Sequence, residues 1–136
     1  MVPDAMKGTV EPGQLDAAAR AAYAKAFDAR RDTTGGLGDM EACLSTATLF
    51  DVKLNGETVA RYALEQVNQA HGVEVFIVAA AGGVPGCDLV ASLVPYIAQQ
   101  CATADCLTIN TRRRGLVKKL ERQGWELSSY VMRKKL

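Results

Sequence analysis

The sequence predicts an α/β (α+β) fold, a single domain with a mixed β-sheet flanked by helices in the order α-α-β-β-β-α-β-α-β. Two observations predict the sheet. The segment TLFDVKL-NG-ETVARYAL alternates apolar and polar residues around an Asn-Gly turn, and VEVFIVAAA is a continuous apolar run. A third observation is the helical periodicity found on either side of these strands. Strands interrupted by helices in this way are typical of a mixed sheet.

The first part of the chain is predicted to contain an arm and two helices. Residues 1–13 are predicted to form a flexible N-terminal arm, because they have no clear period. Residues 14–32 are alanine-rich and place small apolar side chains near one face, which predicts a helix. After the TTGGLG loop, Asp39 is suited to cap a short second helix, MEACLST, since aspartate accepts hydrogen bonds from the free amides at a helix start.

The three central strands follow these helices. Apolar and polar residues alternate over residues 50–54, and Asn55-Gly56 matches a type I′ hairpin turn, in which both residues need positive φ. A second strand is predicted to run to about residue 67. The apolar run at residues 73–81 is predicted to be a strand buried on both faces.

The second half of the chain begins with a glycine-rich turn, AGGVPGC. It leads into a helix predicted over residues 88–105, for which Asp88 is a suitable cap. A short strand, CLTINT, is predicted at residues 106–111. RGLVKKLERQG is an amphipathic helix with Gly124 just past its end, and the last segment, WELSSYVMRKKL, is predicted to close the sheet as a strand.

Composition restricts the classes of protein. The 136 residues, 49% apolar and 23% charged, are typical of one globular domain of ordinary size. The formal net charge of +1 gives no overall bias toward nucleic acid or a membrane, and the apolar runs are too short to span a bilayer. Four cysteines without a C-x-x-C pair, and one histidine, argue against structural zinc. Free thiols and the lack of a signal-peptide pattern predict a cytoplasmic location.

Two stretches of the sequence resemble the GNAT superfamily of N-acetyltransferases. VFIVAAAGGVPGCDLVASLVPYI is placed like the strand, pyrophosphate loop and helix that bind acetyl-CoA in that superfamily. NTRRRGLVKKLERQGWELSSYVMRKKL is similar to its closing strand, helix and strand, where the helix ends in a glycine and an aromatic residue, here Gly124-Trp125. The resemblance covers residues 14–136. The GGLGDMEACLS segment, the weak loop and the GW ending are also similar to small GNAT-like proteins encoded by bacteriophages.

The resemblance implies transfer of an acetyl group from acetyl-CoA to an unknown primary amine. Main-chain N–H groups of the loop would hold the pyrophosphate, since a turn entering a helix presents unpaired donors and the positive end of the helix dipole. Superfamily members often use a glutamate on or near the strand before the loop as a base, which implies Glu74 or Glu65. The residues implied in coenzyme binding are Gly82, Gly83, Val84, Gly86, Cys87, Arg113 and Arg114.

The sequence departs from the superfamily pattern in the loop and at one catalytic position. The loop usually reads Gln/Arg-x-x-Gly-x-Gly/Ala, and here those three positions are Gly83, Gly86 and Asp88. Pro85 removes one N–H group, and Asp88 adds negative charge where a diphosphate would lie. The tyrosine that often protonates the leaving thiolate is replaced by Leu120.

Positive charge is concentrated near the end of the chain, where residues 112–136 include nine basic and two acidic side chains. The basic face Arg112–Arg122 can bind the 3′-phosphate of the coenzyme, a nucleic-acid backbone or an acidic patch on a partner protein, and it can also be simply solvated. No aromatic residues interleave with it, so the pattern does not favour nucleic-acid binding.

These departures leave two functions open. The first is an acetyl-CoA-dependent N-acetyltransferase with weak coenzyme binding and an amine substrate. The second is a catalytically silent GNAT-fold structural or interaction protein, such as a bacteriophage virion component, that contacts protein partners through the basic face Arg112–Arg122. Neither function involves a membrane, and the expected location is the cytoplasm, of a host cell or else the virion if the chain is phage-encoded.

Overall fold

The computed structural model describes residues 8–136 and contains a five-stranded mixed sheet. The strands, in their spatial order, are β1 (Thr9–Pro12), β2 (Thr48–Leu54), β3 (Glu57–Gln69), β4 (Gly72–Gly82) and β5 (Cys106–Ile109). Strands β1 to β4 are antiparallel neighbours, and β5 is parallel to β4. The helices are α1 (Ala17–Tyr23), continued by a 3₁₀ turn (Ala24–Phe27), α2 (Met40–Ser45), α3 (Leu89–Gln100) and α4 (Arg114–Arg122). The predicted α/β class with helices flanking a mixed sheet is confirmed.

Helices cover both faces of this sheet and form two apolar clusters. On one face α3 packs against β2, β3 and β4, and the buried residues of this cluster are Val52, Ala60, Tyr62, Leu64, Ile77, Leu93 and Ile97. On the other face α1 and α2 contribute to a cluster of Ala19, Tyr23, Leu44, Leu49, Ala63 and Ala79. Coverage of both faces suits β4, which lies between an antiparallel and a parallel neighbour.

Several local predictions are confirmed. Asn55 and Gly56 have φ values of 53° and 81°, as the type I′ turn between β2 and β3 requires. Asp39 caps α2 by accepting a hydrogen bond from the Ala42 amide at 3.3 Å. Gly124 follows α4 with φ 89°. Two hydrogen bonds then satisfy the last carbonyls of the helix in a Schellman motif, from the Gly124 amide to Glu121 and from the Trp125 amide to Leu120.

The N-terminal part differs from the prediction in two ways. Residues 9–12, assigned to the flexible arm, form β1 and pair with residues 50–53 of β2, because Val10 packs against the α3-side core. Residues 1–7 of that arm lie outside the described part of the chain. The helix predicted over residues 14–32 is shorter, and it ends where the Asp28 carboxylate accepts hydrogen bonds from the next amides and competes with helical bonding.

The predicted closing strand is wrong. In the described chain, residues 125–136 belong to no strand, so the element order is β-α-α-β-β-β-α-β-α. The apolar residues that suggested a strand remain in solvent, with Tyr130 83% and Met132 91% exposed. The reason is that a strand needs a hydrogen-bonded neighbour, and β5 does not pair with this segment.

Candidate functional site

Strands β4 and β5 separate partway along their length. The β4–β5 ladder extends from the Glu74–Cys106 pair to the Ile77–Ile109 pair, whereas β4 continues for five more residues to Gly82. Over those residues β4 stays paired with β3 on its other side, up to Ala60 opposite Gly82. The result is a wedge, bounded by residues 78–82 of β4 on one side and by the chain after β5 on the other. We call this opening the β4–β5 wedge; main-chain N–H and C=O groups on its β4 side are available to a ligand.

A β-bulge lies at the point where the wedge opens. Ala63 of β3 pairs with Ala79, but the next residue, Leu64, pairs with Ile77, so Val78 has no partner in the β3–β4 register. An extra residue of this kind bends its strand and increases the local twist. The bulge therefore accounts for the divergence of β4 from β5 immediately after Ile77.

The glycine-rich turn after β4 is hydrogen-bonded to itself and to β3. The Cys87 amide donates to the Val84 carbonyl at 3.0 Å, Pro85 is the second residue of this turn, and Gly86 has φ 76°, which together match a type II turn. The Gly83 amide donates to Val59 of β3 at 3.0 Å. The amides of Gly83 and Cys87, two of the five expected to bind a pyrophosphate, therefore already donate to carbonyls of the protein.

The three glycines of the turn differ in whether, and why, the structure requires glycine at that position. Gly82 has φ 102°, and a Cβ atom there would lie 2.5 Å from the Val59 carbonyl oxygen, so β3 and β4 approach closely because this residue is glycine. Gly86 supplies the positive φ of the type II turn. Gly83 has neither requirement, since its Cβ would meet no described atom within 4 Å. Its open surroundings are compatible with a ligand that lies against the main chain.

Asp88 occupies the N-terminus of α3, as predicted. Its carboxylate accepts hydrogen bonds from the amides of Val90 and Ala91 at 3.1 and 3.3 Å. Lys119 of α4 forms an ion pair with it at 3.3 Å. The amide of Ala91, together with Lys119, holds the pKa of Asp88 below its ordinary value, so the carboxylate is ionised at neutral pH. The donors that α3 could offer to an anion are partly taken by the protein's own carboxylate.

The side chains of the basic face Arg112–Arg122 contact different parts of the protein. Arg112 donates to the carbonyl of Ala29, in the loop between α1 and α2, at 2.9 Å. Lys119 forms the ion pair with Asp88, the residue that directly follows the glycine-rich turn. Arg113 and Arg114, predicted to bind the coenzyme, are exposed at the start of α4, five or six residues before Lys119. The sequence carries no local signal for the role of Lys119, because its contact with α3 is tertiary.

Glu65, one of the two predicted bases, lies near the bulge. It pairs with Phe76 across the β3–β4 ladder, two residues before Val78, which is about 7 Å along the strand. The Thr46 hydroxyl donates to one of its carboxylate oxygens at 3.0 Å. Within residues 8–136 no donor is found for the other oxygen, and the side chain is partly exposed.

Glu74, the other predicted base, lies in the closed part of the β4–β5 ladder. Its carboxylate accepts hydrogen bonds from the Thr108 hydroxyl of β5 and from the Gln69 amide at 3.1 Å. The bond from Thr108, more than that from Gln69, lowers the pKa of Glu74. Glu74 lies four residues before Val78, roughly 13 Å along the strand. A carboxylate with both oxygens bonded and a lowered pKa is a weak base.

Leu120, at the position where the resemblance implies a proton-donating tyrosine, is 5% exposed. Trp125, which follows the end of the same helix, packs against the α3-side core. Tyr62 of β3 is also buried there, and burial raises the pKa of its phenol while its hydroxyl donates to Gln100 at 2.8 Å. These side chains stabilise the packing of α3 and α4.

The described residues contain neither a metal-binding cluster nor a membrane-spanning helix. Among residues 8–136 there is no group of three histidine, cysteine, aspartate or glutamate side chains placed to bind a metal ion. No helix in the same part of the chain combines the length and the apolar character needed to cross a bilayer.

A single domain with a five-stranded mixed sheet flanked by helices is consistent with a GNAT-like α/β fold. Solved structures with similar folds include a possible acetyltransferase from Clostridium difficile 630, with a TM-score of 0.66 and 14% identity, covering 95% of this chain and 97% of that one. The ribosomal-protein-alanine N-acetyltransferase of Brucella melitensis biovar Abortus 2308 has a TM-score of 0.61 and 18% identity, and the match covers 93% of this chain and 99% of that one. An aminoglycoside acetyltransferase from an uncultured soil metagenomic sample has a TM-score of 0.59 and 14% identity, and the match covers 96% of this chain and 98% of that one.

These similarities extend over nearly the whole chain and show its fold. The sequence itself matches no protein-family model and no curated protein. The function must therefore be argued from the site.

Proposed function

We propose that the protein is an acetyl-CoA-dependent N-acetyltransferase that acts on a primary amine. The observation that carries this proposal is the β4–β5 wedge, which opens at the Val78 bulge beside a turn that enters α3. An extended chain with amide groups, such as the pantetheine of acetyl-CoA, matches the main-chain donors and acceptors on the β5 side of residues 78–82, which have no partner strand within residues 8–136. Acetyl-CoA supplies the activated thioester, and the acceptor amine is unspecified.

The loop residues predicted from the resemblance take part in this proposal. The amides of Val84 and Gly86 have no acceptor among residues 8–136, and they face the pyrophosphate in our proposal. Gly83 allows the main chain to approach the phosphates. Asp88 weakens the site by repelling the diphosphate, and Lys119 partly offsets that repulsion. We infer weak coenzyme binding, with Arg113 and Arg114 contributing long-range attraction from the start of α4.

The chemistry in this proposal depends on a carboxylate near the bulge. A neutral amine attacks the thioester carbonyl, the C–N bond forms, the C–S bond breaks, and the amine loses a proton. Glu65 accepts that proton through a water molecule, because it lies nearer the bulge than Glu74 and has a less occupied carboxylate. Water protonates the departing thiolate, since Leu120 has no hydroxyl.

The proposal is tested with acetyl-CoA and a panel of primary amines. Millimolar acetyl-CoA raises the melting temperature if it binds with a Kd of about 0.1 mM, because tenfold excess over Kd stabilises the folded state by about 1.4 kcal/mol. Release of free thiol that depends on both acetyl-CoA and an amine would demonstrate transfer. A melting temperature unchanged by acetyl-CoA, together with no thiol release, contradicts the proposal.

A second candidate is a catalytically silent GNAT-fold protein that acts as a structural or interaction component, with a bacteriophage virion as the specific setting. It is favoured by the Asp88–Lys119 pair at the start of α3 and by Leu120 in the proton-donor position. Its partners would meet the basic face Arg112–Arg122. Co-purification from the native source with a large assembly at fixed stoichiometry supports this candidate, and a free protein with amine-dependent thiol release contradicts it. The cytoplasmic location stays a prediction for both candidates.

A further inference from the structure

The outer edge of β5 is free. On its inner side, Cys106–Ile109 pair with β4. On its outer side, no strand within residues 8–136 pairs with it. Unpaired main-chain groups at such an edge are a template for another strand.

A groove of ≈ 710 Å³ runs along this free edge. One wall is β5, and the opposite wall is formed by residues 126–129, which follow α4. We call this the β5 groove, and residues 126–136 the C-terminal arm. The arm faces β5 across the groove but does not form a ladder with it.

The far part of the C-terminal arm has the composition of a strand without a sheet. Tyr130, Val131 and Met132 are 83%, 70% and 91% exposed, although aromatic and β-branched residues favour strands. Exposure of consecutive large apolar side chains marks a surface that binds another chain.

The charges of the groove and the arm are complementary. The described residues that line the groove include Glu74, Glu121 and Glu126 and no lysine or arginine. The arm carries Arg133, Lys134 and Lys135 directly after its apolar residues, and no acidic residue follows Glu126. An arm entering the groove would therefore be attracted by it.

We propose that the β5 groove binds the C-terminal arm of a second copy of this chain. The exchange is reciprocal around a two-fold axis, since groove and arm belong to the same chain. The second arm pairs with the free edge of β5 and extends the sheet by one strand. On binding, it exchanges the exposed hydrogen bond from Arg133 to the Thr33 carbonyl for contacts in the groove. This proposal does not depend on acetyl transfer.

The test is the oligomeric state of the full chain, measured by light scattering after size exclusion. The protein concentration is about 10–100 µM, at which a weak dimer is populated. We expect a dimer, and a monomer for Val131→Asp, which places a carboxylate among the groove glutamates. Leu37→Asp is the matched control, because Leu37 is 88% exposed on a different loop. This control variant should remain a dimer.

Hydrogen exchange at β5 gives a second measurement. The Cys106–Ile109 amides on the outer edge should exchange at least tenfold more slowly in the dimer than in Val131→Asp. A monomer at 100 µM overturns the proposal. A dimer that persists in Val131→Asp with unchanged β5 exchange also overturns it, because the copies would then meet elsewhere.

Discussion

Asp88 is the residue that we expect to weaken acetyl-CoA binding in the proposed function, because its carboxylate lies at the start of α3. Its carboxylate uses the amides of Val90 and Ala91, which would otherwise attract an anion. Because its pKa is lowered in the folded protein, the helix stabilisation that it provides is present above 3.8, the ordinary value, and is lost only as the pH falls through the lower folded value. Mild acidification from pH 7 to pH 5 should therefore leave Asp88 ionised and its repulsion of the diphosphate unchanged.

Replacing Asp88 with asparagine should strengthen acetyl-CoA binding about tenfold or more, because the cap is kept while the charge that repels the diphosphate is removed. Freed Lys119 would then face the phosphates. Calorimetric titration measures the change. Asp39→Asn is the matched control, since Asp39 caps α2 in the same way, and its affinity should equal that of the parent. Equal affinities for the Asp88 variant and the parent would show that the carboxylate is not the obstacle.

The two predicted bases can be separated by paired substitutions. Glu65→Gln should reduce kcat by a factor of about 10² to 10⁴, the usual range for loss of a general base, while retaining the hydrogen bond from Thr46. Glu74→Gln should change kcat less than about threefold, because its carboxylate already bonds Thr108 and Gln69. Steady-state kinetics with a saturating amine measures both. The reverse order of effects would assign the base to Glu74.

Among the secondary-structure elements, β4 and the turn that follows it define the wedge. The bulge at Val78 separates β4 from β5, and the close approach at Gly82 keeps the end of β4 against β3. Gly83, one residue later, lies at the same surface without a packing constraint. Adjacent glycines therefore serve different purposes, one in the fold and one in the proposed binding of a ligand.

Alanine substitutions at these two glycines should differ in their effect on the free energy of unfolding. Gly82→Ala should lower the free energy of unfolding by roughly 2–4 kcal/mol, since the residue has positive φ and its Cβ would collide with the Val59 carbonyl. Gly83→Ala should change it by less than about 0.5 kcal/mol, or raise it slightly. Urea unfolding followed by circular dichroism measures both. Similar losses at the two positions would contradict the geometry of the turn.

The elements that the sequence predicts well are those specified by neighbouring residues. Asn55-Gly56, the Asp88 cap and Gly124 each act within a few residues, so their patterns identify them. β1 and the closing segment could not be predicted correctly, because a strand exists only where another strand pairs with it. The Val78 bulge and the Asp88–Lys119 pair were missed for the same reason, since both arise from tertiary contacts. The turn and the Asp88 cap of the candidate site were thus predictable, whereas the bulge and the Lys119 partner of Asp88 were not.

In the whole molecule, distant parts of the chain meet at the loop between α1 and α2. Arg112, which follows β5, donates to the carbonyls of Ala29 and Asp32 at 2.9 and 3.4 Å. Arg133 of the C-terminal arm donates to Thr33 at 2.6 Å. The Asp32 carboxylate in turn accepts hydrogen bonds from Thr34 and from a glycine amide, and the bonds from Thr34 lower its pKa. The loop is therefore held by residues from the far side of the wedge.

Loss of Arg112 should loosen this loop without unfolding the protein. In Arg112→Ala the amides of residues 30–38 should exchange about fivefold faster, which corresponds to about 1 kcal/mol less free energy of local opening. Arg113→Ala is the matched control, because Arg113 is an adjacent exposed arginine whose side chain has no hydrogen-bond partner within residues 8–136. Hydrogen exchange with mass spectrometry measures the exchange rates of these amides, under conditions where the variants have the same global free energy of unfolding. If both variants exchange at the parental rate, the loop is held by its own Asp32 hydrogen bonds, and the chain beyond β5 does not restrain it.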